Sequence, residues 1–289
     1  MIISASYRTD IPAFHARWFM KRLEAGYCEV RNPYGGKALR VSLLPGEVDG
    51  IAFWTRNMAP LLPSLEAVRA QFPFTVSFTA TNYPRVLEAA TVPAERAVAQ
   101  MRELAARFGT RAVVWRYDPI VATSLTDAAW HRVNFATLAR SLRGVADEVV
   151  VSFMQPYRKS ARNLDIAARE HSFIWRDPAD DEKRALLRDL CGIAGEQGMA
   201  LTLCAQPNLL IDGVSAAHCI DVARLSDVAG RDIVAREKGN RDGCACAQSR
   251  DIGAYDSCAQ GCTYCYAVTS PQAAQKKIAA LDANAAMLG

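Results

Sequence analysis

The stretch SCAQGCTYCYA, at residues 257–267, brings three cysteines close together near the C-terminus. Cys258, Cys262 and Cys265 have the spacing C-x3-C-x2-C, which lets one tight loop direct three thiolates toward one centre. Soft thiolate ligands select iron–sulfur clusters, zinc or copper(I). The sequence therefore predicts a metal centre in this loop.

Zinc is the main alternative occupant of the loop. A structural zinc site usually pairs two C-x2-C knuckles or is completed by histidine, and the last histidine of the chain, His218, lies well before Cys258. Three thiolates instead suit a [4Fe–4S] cluster in which one iron lacks a protein thiolate and is open to a substrate or cofactor. We therefore predict a [4Fe–4S] cluster in preference to zinc.

Two further cysteines, Cys244 and Cys246, precede this loop in the stretch GNRDGCACAQSRD. One of them could be a fourth ligand, which would close the cluster to other molecules. They could instead hold a second metal, together with Cys204 or Cys219, or be free thiols packed beneath the loop. These alternatives stay open from the sequence, and we include Cys244 and Cys246 among the candidate metal ligands.

The elements that must position these side chains alternate between strands and helices. Mostly apolar runs predict strands at residues 2–6, 50–55, 74–80, 112–117, 149–154 and 200–205. Helices are predicted at residues 12–25, 59–70, 93–108, 126–142, 160–170 and 181–197. Apolar strands without clean alternation are typical of a parallel sheet buried on both faces, so the pattern indicates a (β/α) barrel or a doubly wound sheet.

Two segments depart from this alternation. The stretch CEVRNPYGGKALRVSLLPG, at residues 28–46, has two β-like runs around an Asn-Pro-Tyr-Gly-Gly turn and predicts an inserted hairpin. The stretch SPQAAQKKIAALDANAAML, at residues 270–288, predicts a helix after the cysteine loop. Because no repeat or flexible linker divides the chain, we predict a single domain over residues 1–289, with residues 239–270 as the cluster-binding segment.

Polar and aromatic clusters follow nearly every predicted strand. In parallel α/β folds, sites form at the carboxyl ends of the strands, so these clusters are expected to share one rim. The candidates for orienting a substrate and cofactor there are Arg8, Asp10, Arg56, Arg116 and Asp118, and the candidates for binding the cofactor are Thr55 and Gln206. The alternative is that Arg–Asp pairs at strand ends are ion pairs that lock loops.

Composition limits the classes of function. The chain has 289 residues and a net charge of +4 spread through the sequence, which fits one barrel-sized domain and gives little support for nucleic-acid binding through phosphate neutralisation. The first apolar run is too short for a signal peptide, and no apolar segment is long enough to span a membrane. We therefore expect a cytoplasmic protein with no membrane partner, in which clustered thiols are metal ligands or catalysts.

The quoted motifs carry two family resemblances. CAQGCTYCY, at residues 258–266, resembles the C-x3-C-x-aromatic-C signature of the radical S-adenosylmethionine (SAM) superfamily, and its CTYCY ending is most similar to the spore photoproduct lyase branch. The whole chain resembles the uncharacterised family called domain of unknown function 1848. That second resemblance rests on YRTDIPAF, FWTRN, WRYDPI, LTLCAQ and the cysteine-rich stretch at residues 244–267.

The superfamily resemblance implies a chemistry. Cys258, Cys262 and Cys265 would hold the [4Fe–4S] cluster, SAM would chelate the open iron, and reductive cleavage would yield a 5′-deoxyadenosyl radical. Tyr264 would pack against the cluster or the adenine, and flavodoxin or ferredoxin would donate the electron. We expect a radical SAM-like enzyme acting on an unknown small molecule or nucleotide. The alternative is an iron–sulfur protein whose cluster is fully ligated by the chain and serves electron transfer, redox sensing or structure.

The chain departs from the superfamily pattern in two places. The superfamily's cysteine loop follows the first strand of a partial (β/α)6 barrel, whereas here it follows all six predicted strands. A circular permutation reconciles the two, with the C-terminal helix in place of the superfamily's first helix and the strand IISAS next in space. YGGK, at residues 34–37, has the glycines but not the acid of the Gly-Gly-Glu motif that holds the SAM amino group. The predicted fold is a circularly permuted, partial (β/α)6 TIM-like barrel.

Overall fold

The computed structural model describes residues 1–31, 35 and 37–288. Its centre is a sheet of eight strands in which every neighbouring pair is parallel. A separate antiparallel pair forms a hairpin. The strands are β1 (Ile2–Ala5), β2 (Tyr27–Val30), β3 (Leu39–Ser42), β4 (Gly50–Thr55), β5 (Phe74–Thr79), β6 (Val113–Ile120), β7 (Glu148–Phe153), β8 (Ala200–Leu203), β9 (Ser215–Ala216) and β10 (Ser249–Asp251).

Helices connect the strands of the large sheet. They are α1 (Ile11–Phe14), α2 (Ala16–Ala25), α3 (Leu65–Arg69), α4 (Ala94–Phe108), α5 (Ala128–Ser141), α6 (Arg158–His171), α7 (Asp180–Glu196), α8 (Val222–Ala229) and α9 (Pro271–Ala280). Short 3-10 turns occupy Leu62–Ser64, Thr110–Ala112 and Pro207–Leu209. The predicted helix at 12–25 is interrupted at His15, and the one at 59–70 contains a 3-10 turn before α3.

The six predicted strands are all present, as β1 and β4 to β8. The predicted hairpin is also present, as β2 and β3, with Cys28 opposite Val41. Of its Asn-Pro-Tyr-Gly-Gly turn only Gly35 is among the described residues, and of the YGGK stretch only Gly35 and Lys37 are. The C-terminal helix is shorter than predicted because it ends at Ala280, while its start is capped by the Ser270 hydroxyl, which accepts a hydrogen bond from the Ala273 N–H at 3.0 Å.

The strand order in the large sheet is β10-β1-β4-β5-β6-β7-β8-β9. β10 pairs in parallel with β1, with Ser249 opposite Ile2, so the strand that precedes the cysteine loop lies beside the N-terminal strand. β9 and β10 are the two edges, and within the described ranges no strand pairing joins them. The described residues therefore form a mixed α/β architecture on one large parallel sheet, and no closed barrel is found among them.

The two faces of the sheet differ in chemistry. Alternate residues such as Ile3 and Phe53 belong to the main hydrophobic core, which includes apolar side chains from the helices. On the other face, Ile2 and Ala52 belong to a smaller core formed with the segments after β8. Toward the carboxyl ends of the strands this second face carries polar side chains, including Arg116. Both faces are buried, as predicted, and we call the second face, which carries Arg116, the inner face of the sheet.

A membrane-spanning helix is not found in the described part of the chain, since none of its helices is both long and apolar enough to cross a bilayer.

Candidate metal centre

The cysteine loop, at residues 257–267, is held by backbone hydrogen bonds to the segment that follows β5. The Ala90 N–H donates to the Gln260 carbonyl at 3.0 Å, and the Thr263 N–H donates to the Leu87 carbonyl at 3.0 Å. These bonds flank Gly261, so the loop position is fixed by a neighbouring segment rather than by the loop alone.

Gly261 permits a close approach of the two segments. Its φ is +71°, in the left-handed region that favours glycine. A Cβ at this position would lie 3.0 Å from the Ala89 Cβ, which is tighter than ordinary van der Waals contact. The glycine in the C-x3-C part of the motif is therefore required by both backbone conformation and space.

The three predicted ligands, Cys258, Cys262 and Cys265, line one cavity of about 410 Å³. The opposite wall comes from α6 and from the start of α9. Burial raises the pKa of Cys262 to about 12 and also raises the pKa values of Cys258 and Cys265. The thiols are therefore protonated at neutral pH, and a metal that binds them must displace their protons.

The three sulfurs share a cavity but not a common ligation point. Within residues 1–31, 35 and 37–288, no group of three or more His, Cys, Asp or Glu side chains is arranged so that it could hold a metal ion as it stands. Ligation at the loop therefore requires the thiols to move from the positions they have in this structure.

The chemistry around the loop fits a thiolate-bound metal. The Ala267 N–H donates to the Cys265 sulfur at 3.3 Å, as backbone amides do around metal-bound cysteines. The Arg56 guanidinium is close enough to lower the pKa of Cys262 against the larger effect of burial. A soft donor set, an N–H···S bond and a nearby cation together suit a negatively charged iron–sulfur cluster.

The Asp10 carboxylate connects β4 to the cysteine loop. It accepts hydrogen bonds from the Thr55 hydroxyl at 2.7 Å, from the Arg56 backbone N–H at 2.8 Å and from the Gln260 side-chain amide at 2.9 Å. Burial raises the pKa of Asp10 above its ordinary value, although these hydrogen bonds act to lower it. Of the two candidates from the sequence, Asp10 thus positions the loop by contacting Gln260 within it, and Thr55 holds the Asp10 carboxylate.

The Arg56 side chain forms a second link to the loop through Glu88. Its guanidinium lies 2.8 Å from the Glu88 carboxylate and donates to the Tyr264 hydroxyl at 2.8 Å. The Tyr264 hydroxyl also donates to Glu88. Tyr264 is buried and packs edge-on against Tyr83, with ring centroids 5.9 Å apart. The structure brings together two predicted residues, Arg56 and Tyr264, through a carboxylate that was not predicted.

Glu88 was missed because the sequence around it gives no signal. It lies in the stretch PRVLEAA, where a single acidic residue is usually solvent-exposed. Only the backbone pairing of this stretch with the cysteine loop, including the bridge between Glu88 and Cys262, brings the carboxylate to the site.

Arg8 pairs with Asp251 on β10. The Arg8 Nε lies 2.8 Å from an Asp251 carboxylate oxygen, and the Ser4 and Ser6 hydroxyls donate to the same carboxylate at 2.9 and 2.8 Å. The side chains of Arg8 and Asp251 are 7% and 4% exposed, so this ion pair is shielded from solvent. Asp251 was missed as a partner because β10, at three residues, is too short for its pattern to indicate a strand.

Arg116 and Asp118 form the third pair, on β6. Their side chains approach to 2.6 Å, and Asp118 also accepts a hydrogen bond from Ser152. The Arg116 guanidinium stacks over the Trp54 ring, 4.8 Å from its centroid. The Trp54 indole N–H donates to the Ser4 hydroxyl at 3.2 Å. A chain of polar contacts therefore crosses the inner face of the sheet from β6 to β1.

Gln206, a candidate cofactor-binding residue, is occupied by the backbone of β7. Its side-chain carbonyl accepts from the Phe153 N–H at 2.8 Å, and its amide donates to the Phe153 carbonyl at 3.1 Å. The residue is buried, and both polar ends of its side chain are bonded to the backbone of Phe153. In this arrangement Gln206 anchors the loop after β8.

Cys244 and Cys246 lie with the other predicted alternative partners, Cys204 and Cys219. The sulfurs of Cys219 and Cys204 are 3.6 Å apart. The Cys246 thiol interacts with those of Cys219 and Cys244, and its hydrogen bond lowers the pKa of Cys244 to about 6. We call these residues the upper cysteine group, in distinction from the three cysteines of the loop.

Comparison with known proteins adds a family to this geometry. No curated protein and no solved structure matches the chain. One family model, described as Domain of unknown function (DUF1848), matches residues 2–267. The match includes every strand of the large sheet and both groups of cysteines, and it ends before α9. Because it covers nearly the whole chain, the protein belongs to the family Domain of unknown function (DUF1848).

Proposed function

We propose that the protein is a radical SAM-like enzyme in which Cys258, Cys262 and Cys265 hold a [4Fe–4S] cluster with one open iron. The observation that supports this most is the parallel pairing of β10 with β1. In space, β10 is therefore followed by the cysteine loop, then by α9, and then by the N-terminal strand β1. That is the order expected for a circularly permuted relative of the partial (β/α)6 barrel.

The end of the chain supports the same permuted order. After α9, the carbonyls of Asn284 and Ala285 accept hydrogen bonds from Arg22 and Trp18 of α2, at 2.8 and 2.9 Å. The C-terminal segment therefore returns to the elements that follow β1, as a permutation requires.

The polar groups around the loop suit a cluster with an open iron. When bound, the cluster would supply the electron for reductive cleavage of SAM. Arg56 would place a cation beside the cluster, while Asp10 would hold the loop through Gln260. Arg8 and Arg116, each paired with a carboxylate on the inner face, would orient SAM and a substrate that is a small molecule or nucleotide.

The alternative of a cluster fully ligated by the chain needs a fourth protein ligand. The sequence offered Cys244 or Cys246 for this role, but both interact with other cysteines of the upper group. This placement favours a cluster with one open iron, and therefore the enzyme, over a cluster that is fully ligated by the chain.

The test is anaerobic reconstitution followed by iron, sulfide and SAM-cleavage assays. We expect about four iron and four sulfide ions per chain, and formation of 5′-deoxyadenosine from SAM in the presence of dithionite. Cys262→Ser should lose the iron and the cleavage activity. Cys191→Ser is the matched control, because Cys191 lies on α7 outside both cysteine groups, and it should retain both. Wild-type protein that holds the cluster but cleaves no SAM would rule out the enzyme and favour the closed-cluster alternative.

A further inference from the structure

The upper cysteine group brings together thiols from three separate segments. Cys204 directly follows β8, Cys219 follows β9, and Cys244 and Cys246 precede β10. Cys204, Cys219 and Cys246 are 8% exposed or less, and Cys244 is partly exposed. Four thiols from distant parts of a chain are rarely gathered by hydrophobic packing alone, since one buried cysteine fills a core position equally well.

One sulfur–sulfur distance within the group matches a single tetrahedral ion. Four sulfurs at about 2.3 Å from one zinc ion lie about 3.8 Å from one another, by tetrahedral geometry. The sulfurs of Cys204 and Cys219 are 3.6 Å apart, close to one edge of that tetrahedron. An iron–sulfur cube binds each cysteine to a different iron and so keeps the sulfurs farther apart. The short separation therefore favours one zinc ion over a second cube.

Hydrogen-bond donors surround the group as they do around metal-bound thiolates. The Arg116 guanidinium donates to the Cys219 sulfur at 2.9 Å, and the Ile220 backbone N–H donates to the Cys246 sulfur at 3.4 Å. Arg241 approaches the Cys204 sulfur at 3.7 Å. A neutral thiol is a weak acceptor, whereas a zinc ion with four thiolates carries a net charge of −2, which favours the two nearby guanidinium groups even though Asp118 already pairs with one of them.

The group lies at the gap between the two edges of the large sheet. Cys219 comes shortly after edge strand β9, and Cys246 comes shortly before edge strand β10. Between them, the Ala247 N–H donates to the Ile220 carbonyl at 3.0 Å. A metal bound here would join the two edges where few backbone hydrogen bonds do so.

We propose that Cys204, Cys219, Cys244 and Cys246 form a second metal centre, a tetrathiolate zinc site that ties the edge of the sheet at β9 to the edge at β10. On binding, each cysteine that is protonated releases its proton, and the zinc ion keeps its oxidation state. The side chains do not surround a single point as they stand, so binding includes rotation of the thiols about their Cα–Cβ bonds. None of its four ligands belongs to the cysteine loop, so the two metals can be removed separately, while Arg116 contacts this group and is also a candidate for orienting a substrate.

The test is metal analysis of the full chain produced with zinc and iron in the medium. We expect about one zinc ion per chain in addition to the iron of the cluster. Cys204→Ser and Cys244→Ser, made separately, should each lose the zinc and retain the iron. Cys262→Ser should show the opposite pattern, and Cys191→Ser should retain both metals. This double comparison separates failure of the zinc site from failure of the cluster.

Cobalt(II) provides a readout that does not depend on variants folding. Metal-stripped wild-type protein should bind one equivalent with the intense visible bands of tetrahedral thiolate coordination. Hydrogen exchange of residues 217–251 should slow when the metal is added. Wild-type protein that binds neither zinc nor cobalt, that loses iron in Cys204→Ser, or that contains a Cys204–Cys219 disulfide after anaerobic purification would overturn the proposal.

Discussion

The Arg8 guanidinium and the Asp251 carboxylate, 2.8 Å apart and almost fully buried, join the end of the first strand to the last strand. They are separated by most of the sequence, yet they fix the strand that leads into the cysteine loop. Asp251 also accepts hydrogen bonds from the Ser4 and Ser6 hydroxyls and from the Tyr7 backbone N–H, so its loss affects several groups at once.

Asp251→Asn should therefore destabilise the protein strongly. The change leaves the Arg8 charge buried without its partner, which typically costs about 3–5 kcal/mol. Thermal unfolding followed by circular dichroism would measure the loss. Asp212→Asn, at an exposed position, is the control and should change the free energy of unfolding by less than about 0.5 kcal/mol. Equal stability of the two variants would show that the Arg8–Asp251 pair does not support the fold.

Gly261→Ala should strain the cysteine loop. Alanine at a φ of +71° costs about 1–2 kcal/mol, and its Cβ would also press on Ala89. Gly144→Ala is a matched control, because Gly144 has a φ of +72° and, among the described residues, no neighbouring atom lies within 4 Å of the place that the added methyl group would take. Both variants should unfold at lower temperature, but only Gly261→Ala should bind less iron. Equal iron content in the two variants would show that the loop conformation at Gly261 does not affect metal binding.

Glu88→Gln should weaken the network that holds Tyr264 and Arg56. The amide removes the negative charge opposite a largely buried guanidinium, so we expect a several-fold fall in iron retained after reconstitution and about 3 kcal/mol less stability. Glu103→Gln, on the exposed face of α4, is the control and should leave iron content unchanged. Iron content in Glu88→Gln equal to that of the wild type would remove Glu88 from the site.

Acid should destabilise the fold through His131. Burial lowers its pKa to about 4, and its ring nitrogens contact the Tyr117 hydroxyl at 2.8 Å and the Val121 carbonyl at 3.2 Å. Between pH 6.5 and 4 the unfolded chain binds a proton that the folded chain excludes, so stability falls with pH, by up to about 3 kcal/mol. Urea unfolding across this range should show a smaller decline in His131→Gln. His171→Gln, at an exposed histidine, is the control and should show the wild-type dependence of stability on pH. The same dependence in His131→Gln would show that His131 does not cause the decline.

The sequence was most informative about the sheet. Apolar runs identified the six longer strands because burial on both faces leaves few polar residues in each. β9 and β10 were not predicted, since two or three residues such as Ser249–Asp251 carry no periodicity. The circular permutation placed the C-terminal helix before β1 in space but named no strand beside β1, and only pairing across the sheet identifies Ser249 as the residue opposite Ile2.

For the candidate site, the sequence indicated which residues could take part but not which partners they contact. Cysteine spacing located the loop, and polar residues after strands located Asp10 and Arg56. Their interaction partners depend on which segments the fold brings together, so neither Glu88 nor the pairing of Asp251 with Arg8 was predicted. The place of Cys244 and Cys246 was likewise one of several alternatives until the segments after β8 and β9 were seen beside them.

The open iron is tested most directly by electron paramagnetic resonance of the reconstituted, dithionite-reduced protein with and without SAM. We predict the signal of a reduced [4Fe–4S] cluster whose g values change when SAM is added, because SAM would bind the open iron. A protein without that signal, or a signal that SAM leaves unchanged, would contradict the proposed radical SAM-like enzyme.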